Sequence, residues 1–320
     1  MRTERLTELE EAFVTVRGVR LHYQRAGNGR PLLLLHGLVG SAQNWRQNIS
    51  FLARHANVYA VDLLNMGESE RVLGADASLE ATADRLVACM DALGLQEADV
   101  AGHSHGGAIA MMLAARHPQR VRRLILFAPA NPYCDLGRQL ISFYQTPVGI
   151  WMARQIPWLP RMLKKTALSR MYGDPRRVAD DALDGYTAGL RVPGTIDHVL
   201  NIVRGWYLDM GQLREVLVNL AEKPTLLIWG DRDRTVGLSS AKQLQQTLRR
   251  SRLVVLPGVG HIPFEEMPET CNLAMRDWLS SPLPSRTSAR VHEALAFTQP
   301  ERVFQPLPHG GLHTVELRPR

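Results

Sequence analysis

Apolar residues recur along the chain in two alternating patterns. Short apolar runs are typical of strands, and they are separated by segments whose apolar residues have helical spacing. The predicted strands cover residues 12–17, 19–25, 31–35, 57–62, 98–101, 123–128, 225–229 and 252–256. The predicted helices cover residues 45–54, 79–93, 108–117, 238–249 and 268–279. This alternation predicts an α/β protein with a parallel sheet, entered through an antiparallel pair of strands that turns at Gly18.

The alternation stops between residues 131 and 219. This stretch has helix-compatible segments broken by prolines and no convincing strand. The sequence therefore predicts a core formed by residues 1–130 and 220–280, with a helical insertion over 131–219. The insertion is rich in aromatic and methionine side chains: Tyr144, Trp151, Met152, Trp158, Met162, Tyr172, Trp206, Tyr207 and Met210. They suit an apolar wall over an active site, although for most of them a place in the insertion's own core is expected.

Residues 281–320 have a different composition, with six prolines and little sustained periodicity. This is typical of a tail or linker, with one weakly helical stretch over 289–297. His309 and His313 are four residues apart, but Gly310 and Gly311 lie between them, so a helix presenting both to a metal ion is not expected.

Composition narrows the class of protein. The chain of 320 residues is 45% hydrophobic, which is enough for a sizeable core, and no apolar stretch approaches the length of about 18 residues needed to span a bilayer. A cytoplasmic location is the default expectation because the first residues lack a signal sequence. The cysteines, Cys89, Cys134 and Cys271, are widely spaced, which favours reduced thiols over disulfides or a zinc site.

The net charge of +7 could suggest nucleic acid as a partner. However, the basic residues are mostly arginines scattered along the chain, and no recognition motif accompanies them. We therefore expect no nucleic-acid partner.

The segment from Gly102 to Gly106 reads G-x-S-x-G and follows a predicted strand and precedes a predicted helix. In that context the pattern indicates a nucleophile elbow, a sharp turn that lifts the hydroxyl of Ser104 above the sheet edge. Glycines on both sides of the serine permit the tight turn, and Gly107 lets the helix pack closely on the strand.

A serine nucleophile needs a base and an acid that orients the base. Two acids, Asp231 and Asp233, follow the predicted strand over 225–229, and His261 follows the strand over 252–256. The carboxyl ends of these strands meet at the edge where open α/β sheets place their ligands. Both acids are able to serve, and the alternative role of Asp231 is to stabilise the turn after the strand.

The chain resembles the α/β-hydrolase superfamily, in particular its cap-bearing serine esterases and lipases, over about residues 12–280. The motifs that carry the resemblance are His36-Gly37, the segment 62–69, the elbow at Ser104, Gly230-x-x-Asp233, and Gly260-His261 followed by Glu265 and Pro268. The resemblance implies a mostly parallel eight-stranded sheet with a helical cap insertion. It further implies Ser104 as nucleophile, His261 as general base and acid, and Asp233 as the orienting carboxylate.

The resemblance also implies two backbone N–H groups, those of Leu38 and His105, as the oxyanion hole. It implies structural roles for the side chains of His36 and His103. Asp62 and Ser69 are expected to stabilise a turn. Asn65 stands where the family usually has glycine; asparagine adopts positive φ more readily than most residues, so the turn can form with it.

The implied activity is hydrolysis of carboxylic esters without a cofactor or a metal, on a small molecule with an apolar acyl or aromatic group. The serine at the elbow argues against epoxide hydrolases and dehalogenases, which use aspartate there. Hydrolases of ring-cleavage products often have asparagine and tryptophan where this chain has His103 and Ile262. C–C bond, thioester and lactone hydrolysis stay open, as does a ligand sensor that retains the triad. The oligomeric state is not predicted.

Overall fold

The computed structural model describes residues 8–134, 137–179 and 181–282, and the backbone of residues 302–306 and 312–316. Eight of its strands are β1 (Glu10–Val16), β2 (Val19–Ala26), β3 (Pro31–Leu35), β4 (Asn57–Val61), β5 (Ala98–His103), β6 (Val121–Phe127), β7 (Thr225–Gly230) and β8 (Ser251–Leu256). They form one sheet in the order β1-β2-β4-β3-β5-β6-β7-β8. Within this sheet, the pairings of β2 with β1 and β4 are antiparallel and the other pairings are parallel. The predicted eight-stranded, mostly parallel sheet is confirmed.

Helices flank the sheet and connect its strands. The α-helices are α1 (Arg46–Leu52), α2 (Leu79–Ala92), α3 (His105–Arg116), α4 (Arg138–Tyr144), α5 (Pro147–Gln155), α6 (Arg161–Ser169), α7 (Ala182–Thr187), α8 (Thr195–Val216), α9 (Leu238–Thr247), α10 (Pro263–Glu266) and α11 (Pro268–Ser280). Short 3-10 turns cover Ala42–Trp45, Ile156–Trp158, Pro175–Arg177, Ala188–Arg191 and Leu217–Leu220.

Two element ends differ from the sequence prediction at the elbow. Strand β5 continues to His103 and helix α3 begins at His105, so Ser104 alone separates them. The pattern of apolar residues placed the helix start at residue 108, because Gly106 and Gly107 have low intrinsic helix propensity. Close packing at the turn overrides that propensity, and the helix starts at the residue that follows the serine.

Between β6 and β7 the described residues form helices α4 to α8 and the intervening 3-10 turns, without a strand. We call residues 138–220 the helical insertion. The insertion enters and leaves the sheet at neighbouring strands, since β6 and β7 pair directly. Its contacts place it at the carboxyl edge of the central strands, because Trp206 stacks on His105 after β5 and the carbonyl oxygen of Met171 accepts a hydrogen bond from the N–H of His261 after β8.

The hydrophobic core consists of layers on the two faces of the sheet. One layer packs α2, α3 and the end of α8 on the sheet, and the other packs α1 and α11 on the opposite face. In the second layer Trp45 stacks on Phe264 with 4.2 Å between ring centroids, and Phe127 meets both rings edge-on. These rings lie under the loop that carries His261, so the core fixes that loop from below.

Within the described residues the cysteines are present as thiols and not as disulfides, as predicted. Cys89 and Cys271 are buried and Cys134 is half-buried. Burial raises the pKa of the Cys89 thiol to about 12, so this group stays protonated at neutral pH.

The sequence predicted a tail over 281–320 without regular strands. Two strands, β9 (Arg302–Pro306) and β10 (Leu312–Glu316), instead pair antiparallel in this region. Their β-branched and aromatic residues, such as Val303 and Phe304, favour extended backbone. The weakly helical stretch over 289–297 and His309 lie outside the described residues, and His313 is in β10.

Candidate active site

Ser104 occupies a strained turn between β5 and α3. Its backbone has φ +51° and ψ −117°, a combination that residues other than glycine rarely adopt. Such strain costs on the order of 1–3 kcal/mol and is retained where the surrounding structure enforces it, typically at functional sites. The geometry is that of the strand-turn-helix elbow expected from the sequence.

The glycines beside Ser104 are required by close backbone contacts. A Cβ on Gly102 would lie 2.4 Å from the carbonyl oxygen of Gly106, and one on Gly106 would lie 2.3 Å from that of His36. Gly107 lies against Pro129, with 2.6 Å left for a Cβ. Since real carbon and oxygen atoms do not approach so closely, a side chain at any of these positions would displace the elbow.

His261 and Asp233 form a buried pair at the same edge of the sheet. Nδ1 of His261 lies 2.8 Å from Oδ2 of Asp233, and both side chains are almost completely inaccessible to solvent. Oδ1 of Asp233 accepts hydrogen bonds from the N–H groups of Thr235 and Val236. The carboxylate is thus fixed by three donors, and it in turn fixes the imidazole.

The structure brings Asp233, and not Asp231, to His261. Asp231 is exposed, and its Oδ1 accepts a hydrogen bond of 2.7 Å from the N–H of Gly258. This contact ties the turn after β7 to the turn after β8. Asp231 therefore has the turn-stabilising contact that the sequence left open for it.

His261 is held next to the elbow by His103, the residue before Ser104. The two imidazole rings are 4.8 Å apart, and Nε2 of His103 lies 2.9 Å from the carbonyl oxygen of His261. Burial keeps the pKa of His103 well below its usual range, so His103 is neutral and donates this hydrogen bond. The second ring nitrogen of His261, Nε2, is buried and has no hydrogen-bond partner within the described residues.

The loop after β3 lies against the elbow. A Cβ on Gly37 would lie 3.3 Å from Cβ of Ser104, so the loop passes close to the elbow at this residue. Leu38 is the next residue of the loop. His36 shapes this loop, because its Nδ1–H donates to the carbonyl oxygen of Gly37 and its Nε2 accepts from the N–H of Leu63. These bonds agree with the structural role predicted for His36.

His105 begins helix α3, so its N–H is one of the first-turn donors that have no partner within the helix. The N–H groups of Leu38 and His105 thus belong to two segments that meet at Ser104. In a nucleophile elbow these are the positions that bind a developing oxyanion.

The side chain of His105 is buried among apolar groups. Its ring stacks on Trp206 of α8 with 6.0 Å between centroids, and Nδ1 has no hydrogen-bond partner within the described residues. Burial lowers its pKa to about 3, so the imidazole is neutral at pH 7. The His105 side chain therefore lines the small pocket between the elbow and α8 as a neutral group.

The remaining motif residues have structural contacts. Asp62 accepts hydrogen bonds from the N–H groups of Ala42 and Glu68, and its Oδ2 is 2.8 Å from Nδ1 of His22. Ser69 donates to the carbonyl oxygen of Asp62. Asn65 has φ +65°, as expected for an asparagine in place of glycine. Asp62 and Ser69 thus stabilise turns, as predicted.

Two acidic residues that sequence analysis assigned no role, Glu265 and Glu266, join the helical insertion to the His261 loop. Glu266 accepts hydrogen bonds from the N–H groups of Gly260, Gly173 and Asp174. Met171 also accepts a hydrogen bond of 2.6 Å from the N–H of His261. The signal available in the sequence was the short spacing of these acids after His261, but their partners in the insertion are 79 to 93 residues away in the chain.

Glu265 is the centre of a buried polar cluster. Its carboxylate accepts hydrogen bonds from Tyr172 and Tyr186 of the insertion and from Asn44 and Arg46 of the core. All four contacts are between 2.8 and 3.2 Å. A buried charge is stable only when it is paired and hydrogen-bonded, and this carboxylate is both.

A cavity of about 720 Å³ opens at the same edge of the sheet but beside the candidate triad. It is lined by β1, β2, the loop 39–43 and the part of the insertion around α7, and its lining includes neither Ser104 nor His261. The chemistry-bearing residues and this cavity are therefore separate features of the sheet edge.

The family model described as the alpha/beta hydrolase fold matches residues 30–268. The chain belongs to the α/β-hydrolase fold family. This hydrolase contains the elbow, the loop after β3 and the His261 loop within the matched residues. None of the helices that the structure describes is long and apolar enough to cross a membrane.

Similar proteins include a semialdehyde hydrolase and a phospholipase. The chain is 30% identical to 2-hydroxymuconate semialdehyde hydrolase of Pseudomonas sp. (strain CF600) over 252 residues, which is 76% of this chain and 84% of the relative. The crystal structure of Cfl2 from Burkholderia cenocepacia superimposes with a TM-score of 0.75 at 24% identity, covering 87% and 98% of the two chains. A solved membrane phospholipase A, titled a bacterial virulence factor, has a TM-score of 0.67 at 27% identity, covering 85% and 86%.

Proposed function

We propose that this protein is a serine hydrolase that cleaves carboxylic esters through Ser104, His261 and Asp233. The observation that carries the proposal is the buried pair of His261 and Asp233, 2.8 Å apart, held by His103 beside the strained elbow that carries Ser104. Serine is a poor nucleophile unless a base accepts its proton, and this arrangement supplies an oriented base.

The first half-reaction forms an acyl-enzyme. Nε2 of His261 accepts the proton of Ser104 as Oγ attacks the ester carbonyl carbon. The N–H groups of Leu38 and His105 stabilise the oxyanion that develops on the carbonyl oxygen. His261 then donates its proton to the alcohol oxygen, the C–O bond breaks and the alcohol leaves.

The second half-reaction returns the free enzyme. Water gives a proton to His261 and its oxygen attacks the acyl carbon, and the bond to Oγ breaks as His261 returns the proton to Ser104. Asp233 holds the imidazole with the proton on Nδ1 throughout and stabilises the imidazolium form.

The proposed substrate has an apolar acyl or aromatic group, and we propose that the helical insertion acts as the cap over it. Trp206 of α8 stacks on His105, which is the residue that follows the proposed nucleophile Ser104 in the chain. Ile202, one turn earlier on α8, is buried beside the same region. An apolar wall at this position favours an apolar substrate group over a charged one.

The test compares hydrolysis of p-nitrophenyl esters of increasing acyl length by the wild type and by Ser104→Ala. Loss of a serine nucleophile lowers kcat by about 10⁶-fold in a complete triad. A fluorophosphonate probe should label Ser104 of the wild type, as shown by mass spectrometry of the labelled peptide. Ser240→Ala, which changes a buried serine elsewhere, is the matched control and should retain activity. Equal turnover by wild type and Ser104→Ala would sink the proposal.

C–C bond hydrolysis is the second candidate, favoured by the similarity to 2-hydroxymuconate semialdehyde hydrolase. The same serine and base could serve it, because it also transfers an acyl group to water. His103 and Ile262 depart from the usual pattern of ring-cleavage hydrolases; both are buried, and His103 holds the His261 loop. Faster turnover of a ring-cleavage dienoate than of any ester in the series would favour this candidate.

A further inference from the structure

The small pocket between the elbow and α8 lies beside the proposed oxyanion hole. Its lining includes Leu38 and His105, whose N–H groups are the proposed oxyanion donors, together with His198 of α8. Its volume is about 10 Å³, which is room for one water molecule or one group of oxygen size. A substrate whose carbonyl group is bound at Ser104 therefore lies next to this pocket.

Helix α8 places a histidine over the pocket. His198, Ile202 and Trp206 are four residues apart in turn and so share one face of the helix. Trp206 stacks on His105, and Ile202 lines the pocket together with His198. The face of α8 that covers the elbow thus has one imidazole at the end of an apolar row.

Asn65 fixes the tautomer of His198. The amide of Asn65 is oriented by Val72, because its Oδ1 accepts from the N–H of Val72 and its Nδ2 donates to the carbonyl oxygen of Val72. Nδ2 of Asn65 is therefore also the donor in its 3.0 Å contact with Nδ1 of His198. Burial lowers the pKa of His198 to about 4, so the ring is neutral at pH 7 and has its proton on Nε2.

The two imidazoles of the pocket have unused hydrogen-bonding groups. Nε2–H of His198 has no hydrogen-bond partner within the described residues, although only 7% of the residue is exposed. The ring of His105, which is 4% exposed, also makes no hydrogen bond to any residue that the structure describes. Buried polar groups are normally paired, so two unpaired rings at one pocket indicate a bound group that pairs them.

The pocket lies on the acyl side of the reacting carbonyl group. It is bounded by residues that follow β3 and β4, such as Leu38 and Leu63, whereas His261 follows β8. Strand β5, which leads to Ser104, lies between these strands in the sheet. The leaving alcohol takes its proton from His261 and so lies on the β8 side. The acyl group therefore extends toward His198.

We propose that the acyl chain of the substrate has an oxo group whose oxygen occupies this pocket. It accepts hydrogen bonds from Nε2–H of His198 and from the N–H of the His105 ring. A carbonyl oxygen has two lone pairs for these two donors and has the size of the free space, whereas a hydroxyl would add a further donor. The inference rests on the proposed function, because it names the substrate class of the same site.

The test compares p-nitrophenyl octanoate with its oxo derivatives, in each of which one chain CH₂ beyond the first is replaced by C=O. At one position of the oxo group, wild-type kcat/KM should be about tenfold higher than for octanoate, through a lower KM. The interaction is remote from the reacting bond, so it adds equally to ground state and transition state.

His198→Leu should lose this preference, because the donor is removed. His198→Gln should keep part of it, since its amide nitrogen is able to donate from a similar position. A purely structural role of His198 would lower kcat/KM for both esters alike and leave their ratio unchanged. His55→Leu makes the same change at an exposed position and should keep the wild-type ratio. His105→Phe should lower the ratio and keep kcat, which separates the ring from the backbone N–H.

A binding measurement separates this inference from the catalytic proposal. Ser104→Ala forms no acyl-enzyme, and in calorimetry it should bind the methyl ester of the preferred oxo acid about tenfold more tightly than methyl octanoate. If the wild type hydrolyses no ester but this difference in binding is found, the catalytic proposal fails and the pocket assignment stands.

The inference is overturned if Ser104→Ala binds the oxo and parent methyl esters equally. It is also overturned if the wild type hydrolyses the esters and no oxo position gives a ratio that differs between the wild type and His198→Leu. Either result would assign the pocket to a water molecule that pairs the two rings.

Discussion

The substitution Asp233→Asn tests the proposed triad most sharply, because the structure fixes how the new amide must sit. Oδ1 of Asp233 accepts from the N–H groups of Thr235 and Val236 at 2.7 and 2.9 Å. Both are donors, so the amide oxygen must take this position and the NH₂ group must face Nδ1 of His261. Two donors cannot share a hydrogen bond, and Nδ1 therefore has to act as the acceptor.

The consequence is a change of tautomer. With Nδ1 unprotonated, neutral His261 has its proton on Nε2 and cannot accept the proton of Ser104. The same substitution in a serine protease lowers kcat about 10⁴-fold, which corresponds to about 5.5 kcal/mol in the activation barrier. We expect a loss of this size here, with the fold retained because the two side chains have the same shape.

The assay is hydrolysis of the best p-nitrophenyl ester, with burst kinetics to isolate acylation. Nitrogen NMR of the histidine ring in Asp233→Asn should show the proton on Nε2. Asp231→Asn is the control, since an amide oxygen at Asp231 still accepts from the N–H of Gly258. The reasoning is refuted if Asp233→Asn keeps more than about a tenth of wild-type kcat, or if Asp231→Asn loses as much.

Three further predictions concern stability and the residue after the nucleophile. Glu265→Gln should lower the free energy of unfolding by about 3 kcal/mol, because Arg46 loses a buried charged partner, and calorimetry should show Tm falling by about 5 °C. Asp181→Asn removes the exposed partner of Arg46 and should cost less than about 1 kcal/mol; a larger loss than for Glu265→Gln would contradict this. His105→Phe should keep kcat within about threefold in the ester assay, since only the backbone N–H is proposed to act; a hundredfold loss would assign the imidazole a role. Burial raises the pKa of Asp209 to about 6 in the folded protein, so its stabilising effect is complete below its ordinary pKa and is lost as pH rises through about 6. Asp209→Asn should therefore unfold at higher urea concentration than the wild type near pH 8 but not near pH 4, and an equal difference at both would be inconsistent with this titration.

The strands and the elbow could be predicted because their signals are local. A short apolar run indicates a buried strand, and G-x-S-x-G after a strand has few structural solutions. The choice between Asp231 and Asp233 depends on the turn after β7. Gly230 lies so close to the His261 loop that a Cβ would be 2.2 Å from the carbonyl oxygen of Val259. That contact between two loops fixes which carboxylate faces inward.

The insertion shows where sequence patterns lose information. Apolar spacing identifies α5 as a helix but does not say which side is covered, because both sides carry small or apolar residues. Packing against Phe143 selects Gly149 and Ala153, and Trp151 turns outward. Tyr172, in the turn after α6, is instead buried and donates to Glu265, a partner distant in sequence. Side-chain direction in such helices follows from tertiary contacts rather than from hydrophobicity.

The hydrogen bond from the N–H of His261 to Met171 also bears on how this protein can be recombined with its relatives. An exchange of residues 138–220 alone would place that backbone acceptor and the two N–H groups that bind Glu266 on a foreign segment with its own path, and would replace the side chains of Tyr172 and Tyr186 that donate to Glu265. Residues 258–266 would then lose the neighbour against which the histidine is placed. The insertion and this nine-residue loop therefore depend on each other, and a working chimaera must take both from the same parent protein.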